Sequence, residues 1–207
     1  VLLKLYEKVF YFISEHGGGW AFSSNDLIHK FSRQEIDNTL SDLVASGKIR
    51  RISRGIYDFP KYSELLQTEL SPDIEQVAFA YARKFNWQIE VSGDAALNIL
   101  GLSSQVVGNY LYLSNGPSKK YKILGNVTIE FKKSALKNIG FKYKESSLIV
   151  QALKALGKEN ITQETIAKIK KQIDENMYDK ILKDAVTATD WIYEVIKKIC
   201  KKEPTNG

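Results

Sequence analysis

The chain has 207 residues, 43% of them hydrophobic and 26% charged, so it is long enough for one or two domains with hydrophobic cores of their own. Its single cysteine, Cys200, excludes an intrachain disulfide framework and favours a cytosolic setting. No apolar run reaches the roughly 20 residues of a membrane-spanning helix, and the first residues lack the pattern of a signal peptide. We therefore expect a cytoplasmic protein without a membrane partner.

The formal net charge is +6, which is compatible with a nucleic-acid partner. This charge is unevenly distributed, with +1 over residues 1–60, −3 over 61–118 and +8 over 119–207. Arginine follows a different pattern, because four of the five arginines lie between Arg33 and Arg54. Since arginine makes forked contacts with phosphate and guanine, this cluster indicates DNA binding more strongly than the net charge does.

The first part of the chain predicts a helix, a short strand and a second short helix. Apolar residues at helical spacing predict a helix over 2–15, which the glycines at 17–19 end. The aromatic stretch at 20–22 is typical of a strand. Ser24 is a typical N-cap for a short helix over 25–30.

A third helix and a hairpin follow. Ser32, with Glu35 three residues later, forms a capping-box pattern at the start of that helix. Two short strands at 48–52 and 56–59 then surround a turn. The predicted buried stripe of the helix consists of Ile36, Leu40, Leu43 and Val44. This order is that of a winged helix-turn-helix domain, which we place at residues 1–60.

Residues 61–207 predict a second, mixed α/β domain. The predicted elements, in chain order, are a connector at 60–72, a helix at 73–86, a strand at 87–91, a helix at 93–100, strands at 110–114, 121–124 and 127–132, and helices at about 146–156, 163–175 and 178–201. The strands predict a small mixed or antiparallel sheet. The expected fold class is therefore α+β: an N-terminal winged helix-turn-helix, then an α/β domain with a small sheet and C-terminal helices.

Four sequence blocks carry a resemblance to a known family. They are RISRGIYDFPKYS (51–63), SGDAALNILGLSSQV (92–106), YLSNGPSKKYKI (112–123) and IEFKK (129–133). In this order they resemble the AbiEi-type antitoxins of bacterial type IV toxin–antitoxin, or abortive infection, systems, most closely a short branch of unknown function. The similarity spans about residues 5–200, and the second block followed by YLSNGPS is its most specific part.

The resemblance implies a bacterial antitoxin that is also a transcriptional repressor. Its winged helix would bind double-stranded operator DNA and repress its own operon. Its C-terminal domain, at 61–207, would counteract a cognate nucleotidyltransferase-like toxin without a stable complex. We expect a monomer or weak dimer that is not an enzyme and has no catalytic residues, cofactor or metal.

Seven residues are predicted to contact DNA. They are Ser32, Arg33, Gln34 and Asn38 on the third helix, and Arg50, Arg51 and Arg54 on the wing. Arginine pairs well with guanine, and asparagine and glutamine with adenine. Two other interpretations stay open: the arginines could belong to a solvated hairpin that blunts a sheet edge, and the polar helix residues to an ordinary surface. The acidic residues Glu35, Asp37 and Asp42 would also repel phosphate.

A second basic surface is predicted in the C-terminal domain. Its members are Lys119, Lys120, Lys122, Lys132 and Lys133. They could dock RNA, DNA or an acidic partner, or they could form an ordinary solvated face.

Two alternative functions remain open at this point. Glu130-Phe131-Lys132, with Asp94 as a partner, matches the end of a nuclease pattern in which carboxylates hold a divalent metal. The C-terminal domain could then be a nuclease targeted by the winged helix. The other alternative is an adaptor whose winged helix binds protein.

Overall fold

A computed structural model describes residues 4–105, 110–135 and 139–201. The last residue of the 92–106 block lies outside these ranges. The helices are α1 (Leu5–Ser14), α2 (Arg33–Ala45), α3 (Ile74–Phe85), α4 (Gly93–Ile99), α5 (Lys144–Leu156), α6 (Gln163–Gln172), α7 (Tyr178–Asp184) and α8 (Asp190–Ile199). The strands are β1 (Ala21–Phe22), β2 (Arg50–Ser53), β3 (Ile56–Asp58), β4 (Tyr62–Ser63), β5 (Thr68–Glu69), β6 (Ile89–Val91), β7 (Tyr110–Ser114), β8 (Lys119–Lys122) and β9 (Thr128–Lys133). The predicted α+β fold class is confirmed.

The chain divides into two compact units. The first unit consists of the chain up to Trp87 together with a second segment, Lys120–Ile129. The second unit consists of Gln88–Lys119 and the chain from Glu130 onward. The first unit is therefore larger than the domain predicted for residues 1–60. The reason is α3, which packs on β1 and β3 and contributes buried residues such as Val77 and Tyr81 to this unit.

The first unit has the strand pairing of a winged helix. Its sheet has the order β1-β3-β2, with both neighbouring pairs antiparallel. Phe22 and Arg51 both lie opposite Tyr57. This face of the sheet meets α1 and α2, and the buried core there consists of Val9, Ile13, Phe22, Leu27, Ile36, Leu40, Leu43 and Ile49. Stacked aromatic rings extend the face, with centroids 4.7 Å apart for Trp20 and Phe22 and 5.9 Å for Phe22 and Tyr57.

The prediction of a short helix over 25–30 is wrong. The segment forms one turn of 3-10 helix at Ser24–Asp26, and its N-cap is Ser23. The Asp26 carboxylate accepts a hydrogen bond from the Ser23 amide (2.8 Å), which closes the turn after three residues. From 25 to 30 only Leu27 is buried, so no apolar stripe holds a longer helix against the core.

The connector predicted at 60–72 contains a small hairpin, β4–β5. Its tip exposes two leucines, Leu65 at 92% and Leu66 at 62%. Four residues separate the two strands, and neither strand has the apolar alternation that reveals a strand in a sequence. The hairpin was therefore not predictable from the pattern.

The second unit combines a small sheet with five helices among its described residues. Strand β7 lies between β6 and β9, and it is antiparallel to β6. Helices α7 and α8 both pack on α5. The buried core includes Leu148, Ile149, Leu153, Ile169, Tyr178, Ile181, Ile192, Ile196 and Ile199.

The single helix predicted at 178–201 is two helices. A 3-10 turn at Ala185–Thr187 follows α7, and α8 begins at Asp190. Ile181 and Ile192 are 11 residues apart, close to three full turns, so the apolar spacing looked continuous although the helix breaks between them. Val186 lies in this break and is 58% exposed.

Candidate nucleic-acid interface

The start of α2 carries four of the predicted DNA-contacting residues, and all four are exposed. They are Ser32, Arg33, Gln34 and Asn38. The Ser32 hydroxyl accepts a hydrogen bond from the Glu35 amide (3.4 Å), and the Glu35 carboxylate accepts one from the Ser32 amide (2.9 Å). The predicted capping box is thus confirmed. It gives α2 a defined first turn, at the helix end that favours anions.

Acidic residues accompany these side chains on α2. Glu35, Asp37 and Asp42 are all exposed. Hydrogen bonds from the Ser32 hydroxyl and amide hold the pKa of Glu35 below its ordinary value. Gln34 borders an open depression beside the start of α1 together with Glu35 and Asp42. Because carboxylates repel phosphate, Arg33 is the α2 side chain best suited to contact DNA.

The wing presents two exposed arginines, Arg51 on β2 and Arg54 in the turn. Gly55 follows with a φ of +72°, a backbone conformation that side chains rarely adopt, and it reverses the chain into β3. Neither arginine forms an ion pair with another residue in the described ranges. Their guanidinium groups can therefore contact an external anion.

Arg50 differs from its neighbours and does not have the exposed geometry predicted for a DNA contact. Its Nε and Nη2 donate to the two carboxylate oxygens of Asp58 at 3.0 and 2.6 Å, and its Nη1 donates to the carbonyl of Leu70 at 2.7 Å. Asp58 is 1% exposed. The ion pair raises the pKa of Arg50, mainly through its hydrogen bond to Asp58. Arg50 therefore stabilises the base of the wing.

Helix α3 supplies basic side chains that sequence analysis did not assign to the interface. Lys84 Nζ donates to the carbonyls of Arg54 (3.2 Å) and Gly55 (3.4 Å) at the wing tip. Burial and the nearby charge of Arg54 lower the pKa of Lys84. The sequence held one signal of this basic site. Arg83 and Lys84 are adjacent in a segment, 61–118, whose net charge is negative at −3.

The predicted second basic surface is divided between the two compact units. All five lysines are exposed. Lys120 and Lys122 belong to the first unit, whereas Lys119, Lys132 and Lys133 belong to the second. Each unit therefore has its own share of this charge.

Among the described residues, no metal site accompanies the nuclease-like pattern. Glu130 and Lys132 lie on β9, and Asp94 is an exposed residue in the first turn of α4. Across residues 4–105, 110–135 and 139–201, no three His, Cys, Asp or Glu side chains are grouped so that they could hold a metal ion.

Within the described residues, no helix combines the length and the apolar character that crossing a bilayer requires.

No curated protein matches the sequence. A family model does match, over residues 9–181, and its description is a family of unknown function (DUF6088). The match begins in α1, includes the whole wing and α3, and ends in α7, so it takes in most of both units. The chain therefore belongs to the DUF6088 family.

Proposed function

We propose that the protein is a DNA-binding antitoxin that represses its own operon through the winged helix of the first unit. The observation that carries this proposal is the exposure of Arg33, Arg51 and Arg54 on the two elements with which winged helices contact DNA. They are distinguished from Arg50, which the fold itself uses.

In this proposal, α2 enters the major groove with its first turn leading. Arg33 and Gln34 would then reach base edges, and the helix amides would face phosphate. Arg51 and Arg54 would grip the flanking backbone, which fixes the register without reading sequence. Asp37 and Asp42, which lie beyond the first turn of α2, would favour a shallow approach in which mainly that turn meets DNA.

The second unit would supply the antitoxin activity, against a nucleotidyltransferase-like toxin in the bacterial cytoplasm. This part rests on the resemblance of the 92–106 and 112–123 blocks to AbiEi-type antitoxins. We propose no enzymatic activity for it. A coexpression assay tests the proposal: the chain should restore growth to cells that express the toxin encoded beside it. Continued growth arrest, with both proteins present, would contradict it.

The DNA-binding proposal is tested by fluorescence anisotropy with DNA from the promoter of its own operon. We expect Arg33→Ala and Arg54→Ala each to weaken binding about tenfold, since contacts to phosphate or guanine contribute roughly 1–3 kcal/mol. Lys158→Ala, which removes a charge from an exposed site of the second unit, is the matched control. Unchanged affinity in both arginine variants would defeat the proposal. No binding by the wild-type protein at low salt would favour the protein-binding adaptor instead.

A further inference from the structure

The last two turns of α3 hold the wing at its tip. The Tyr81 hydroxyl lies 2.5 Å from the Ser53 hydroxyl oxygen, at the end of β2. One turn later, Lys84 Nζ donates to the carbonyls of Arg54 and Gly55. A Cβ on Gly55 would lie 2.7 Å from Lys84 Nζ, so the wing turn packs directly against this ammonium group. Three consecutive wing residues are therefore hydrogen-bonded to a single helix.

The same turn of α3 also holds the segment that leads into α2. Arg83 donates from Nε to an Asp26 carboxylate oxygen (2.7 Å) and from Nη2 to the Ala21 carbonyl (2.6 Å). The Asn25 side-chain amide donates to the Lys84 carbonyl (3.1 Å). Asp26 is the residue that closes the 3-10 turn before α2, through the Ser23 amide. Arg83 and Lys84 thus connect that turn with the wing tip.

A short wing needs such support to be useful for binding. Between the last residue of β2 and the first of β3 there are only two residues, and one of them is a glycine with a positive φ. A free turn of this kind loses conformational entropy when it docks on DNA, and that loss weakens binding. Hydrogen bonds from Lys84 to both turn carbonyls remove this freedom before DNA arrives.

We infer that Tyr81, Arg83 and Lys84 are positioning residues of the DNA-binding surface, which fix the wing relative to the first turn of α2. This inference rests on the proposed function, and it makes α3 a third element of the binding module. Lys84 acts through the carbonyls of Arg54 and Gly55, so its effect on affinity comes from wing order. A direct phosphate contact by Lys84 is the competing explanation, and the two differ in their dependence on salt.

The experiment uses full-length Lys84→Met with Lys158→Met as the matched control, because both remove one positive charge and Lys158 is exposed in the second unit. Affinity for promoter DNA is measured by anisotropy over a series of salt concentrations. We expect Lys84→Met to bind about tenfold more weakly with the same slope of log K against log salt, and Lys158→Met to bind as the wild type does. A loss of about 0.9 in that slope would instead make Lys84 a phosphate ligand and overturn the inference.

Hydrogen exchange without DNA provides the second readout. Peptides covering residues 50–58 should exchange faster in Lys84→Met than in the wild type, because the wing turn has lost its support. Tyr81→Phe, which keeps the ring and removes only the hydroxyl, should accelerate exchange in the same peptides. Wild-type exchange in both variants would overturn the inference. If the wild-type protein fails to bind DNA, the proposed function is wrong, while the exchange result still decides whether α3 orders the wing.

Discussion

Arg50 and Asp58 face each other across β2 and β3 and form a two-pronged ion pair, with Nε–Oδ1 at 3.0 Å and Nη2–Oδ2 at 2.6 Å. The Asp58 side chain is almost entirely buried, and the Arg50 side chain is 23% exposed. Through Nη1 the same guanidinium reaches the Leu70 carbonyl, just after β5. One arginine therefore joins the wing to the segment that leads into α3, while Arg54, four residues later, remains exposed.

Replacing Arg50 should cost stability. In Arg50→Met the buried Asp58 carboxylate loses its partner, and leaving a buried charge unpaired costs about 3 kcal/mol. We expect that loss in the free energy of unfolding measured with urea. Arg51→Met, on the neighbouring exposed position, should change it by less than about 0.5 kcal/mol. Equal stability of the two variants would contradict a structural role for Arg50.

Gly93 should resist substitution because of close packing between helices. A Cβ at this position would lie 2.6 Å from the Ala155 Cβ and 3.2 Å from the Gln151 carbonyl oxygen. Gly93→Ala should therefore lower the free energy of unfolding by about 1–3 kcal/mol. Ala155→Gly removes the nearest atom. The double variant should therefore lose less free energy of unfolding than the two single variants lose together. A strictly additive double variant would show that the contact does not decide the cost.

Glu90 should make stability depend on pH. Burial raises the pKa of its carboxyl above the ordinary 4.5, and the negative charge of Asp184 raises it further, although Ser147 and the Gly140 backbone partly oppose the shift. The folded protein then holds this proton more tightly than the unfolded chain. Its contribution to stability is present below pH 4.5 and is lost as pH rises through the raised pKa.

Glu90→Gln tests this dependence, because the amide cannot ionise. Relative to wild type, the variant should gain stability as pH rises above 4.5, measured by urea unfolding at a series of pH values. Glu175→Gln, at an exposed position, is the control and should run parallel to wild type. A wild-type pH profile in Glu90→Gln would mean that another group is responsible.

Cys200 should be unreactive in the folded protein. It is 5% exposed, and burial, with the nearby charge of Asp179, raises the pKa of its thiol to about 11. At pH 8 little thiolate is present to attack an alkylating reagent. Mass spectrometry should find slow modification by iodoacetamide in buffer and rapid modification in urea. Rapid modification of the folded protein would contradict the buried position.

Local rules in the sequence were sufficient for most helices and strands. Ser32 and Glu35 predicted the start of α2 through a capping box that involves only four residues. The stripe of Ile36, Leu40 and Leu43 predicted its buried face, and all three are buried. The clustering of arginines likewise indicated the wing. Such features are predictable because hydrogen bonds and apolar spacing within one element do not depend on the rest of the fold.

The role of each arginine was decided by contacts between distant residues. Arg50, Arg51 and Arg54 are equivalent in the sequence, but only Arg50 meets a buried carboxylate, because strand register brings it opposite Asp58. Lys84 follows Gly55 by 29 residues in the chain. It contacts the wing turn only because α3 packs against the sheet. The sequence alone thus determined where positive charge and most of the helices occur. Tertiary structure decided which charges the fold neutralises and which it leaves exposed, since that depends on partners that only folding brings together.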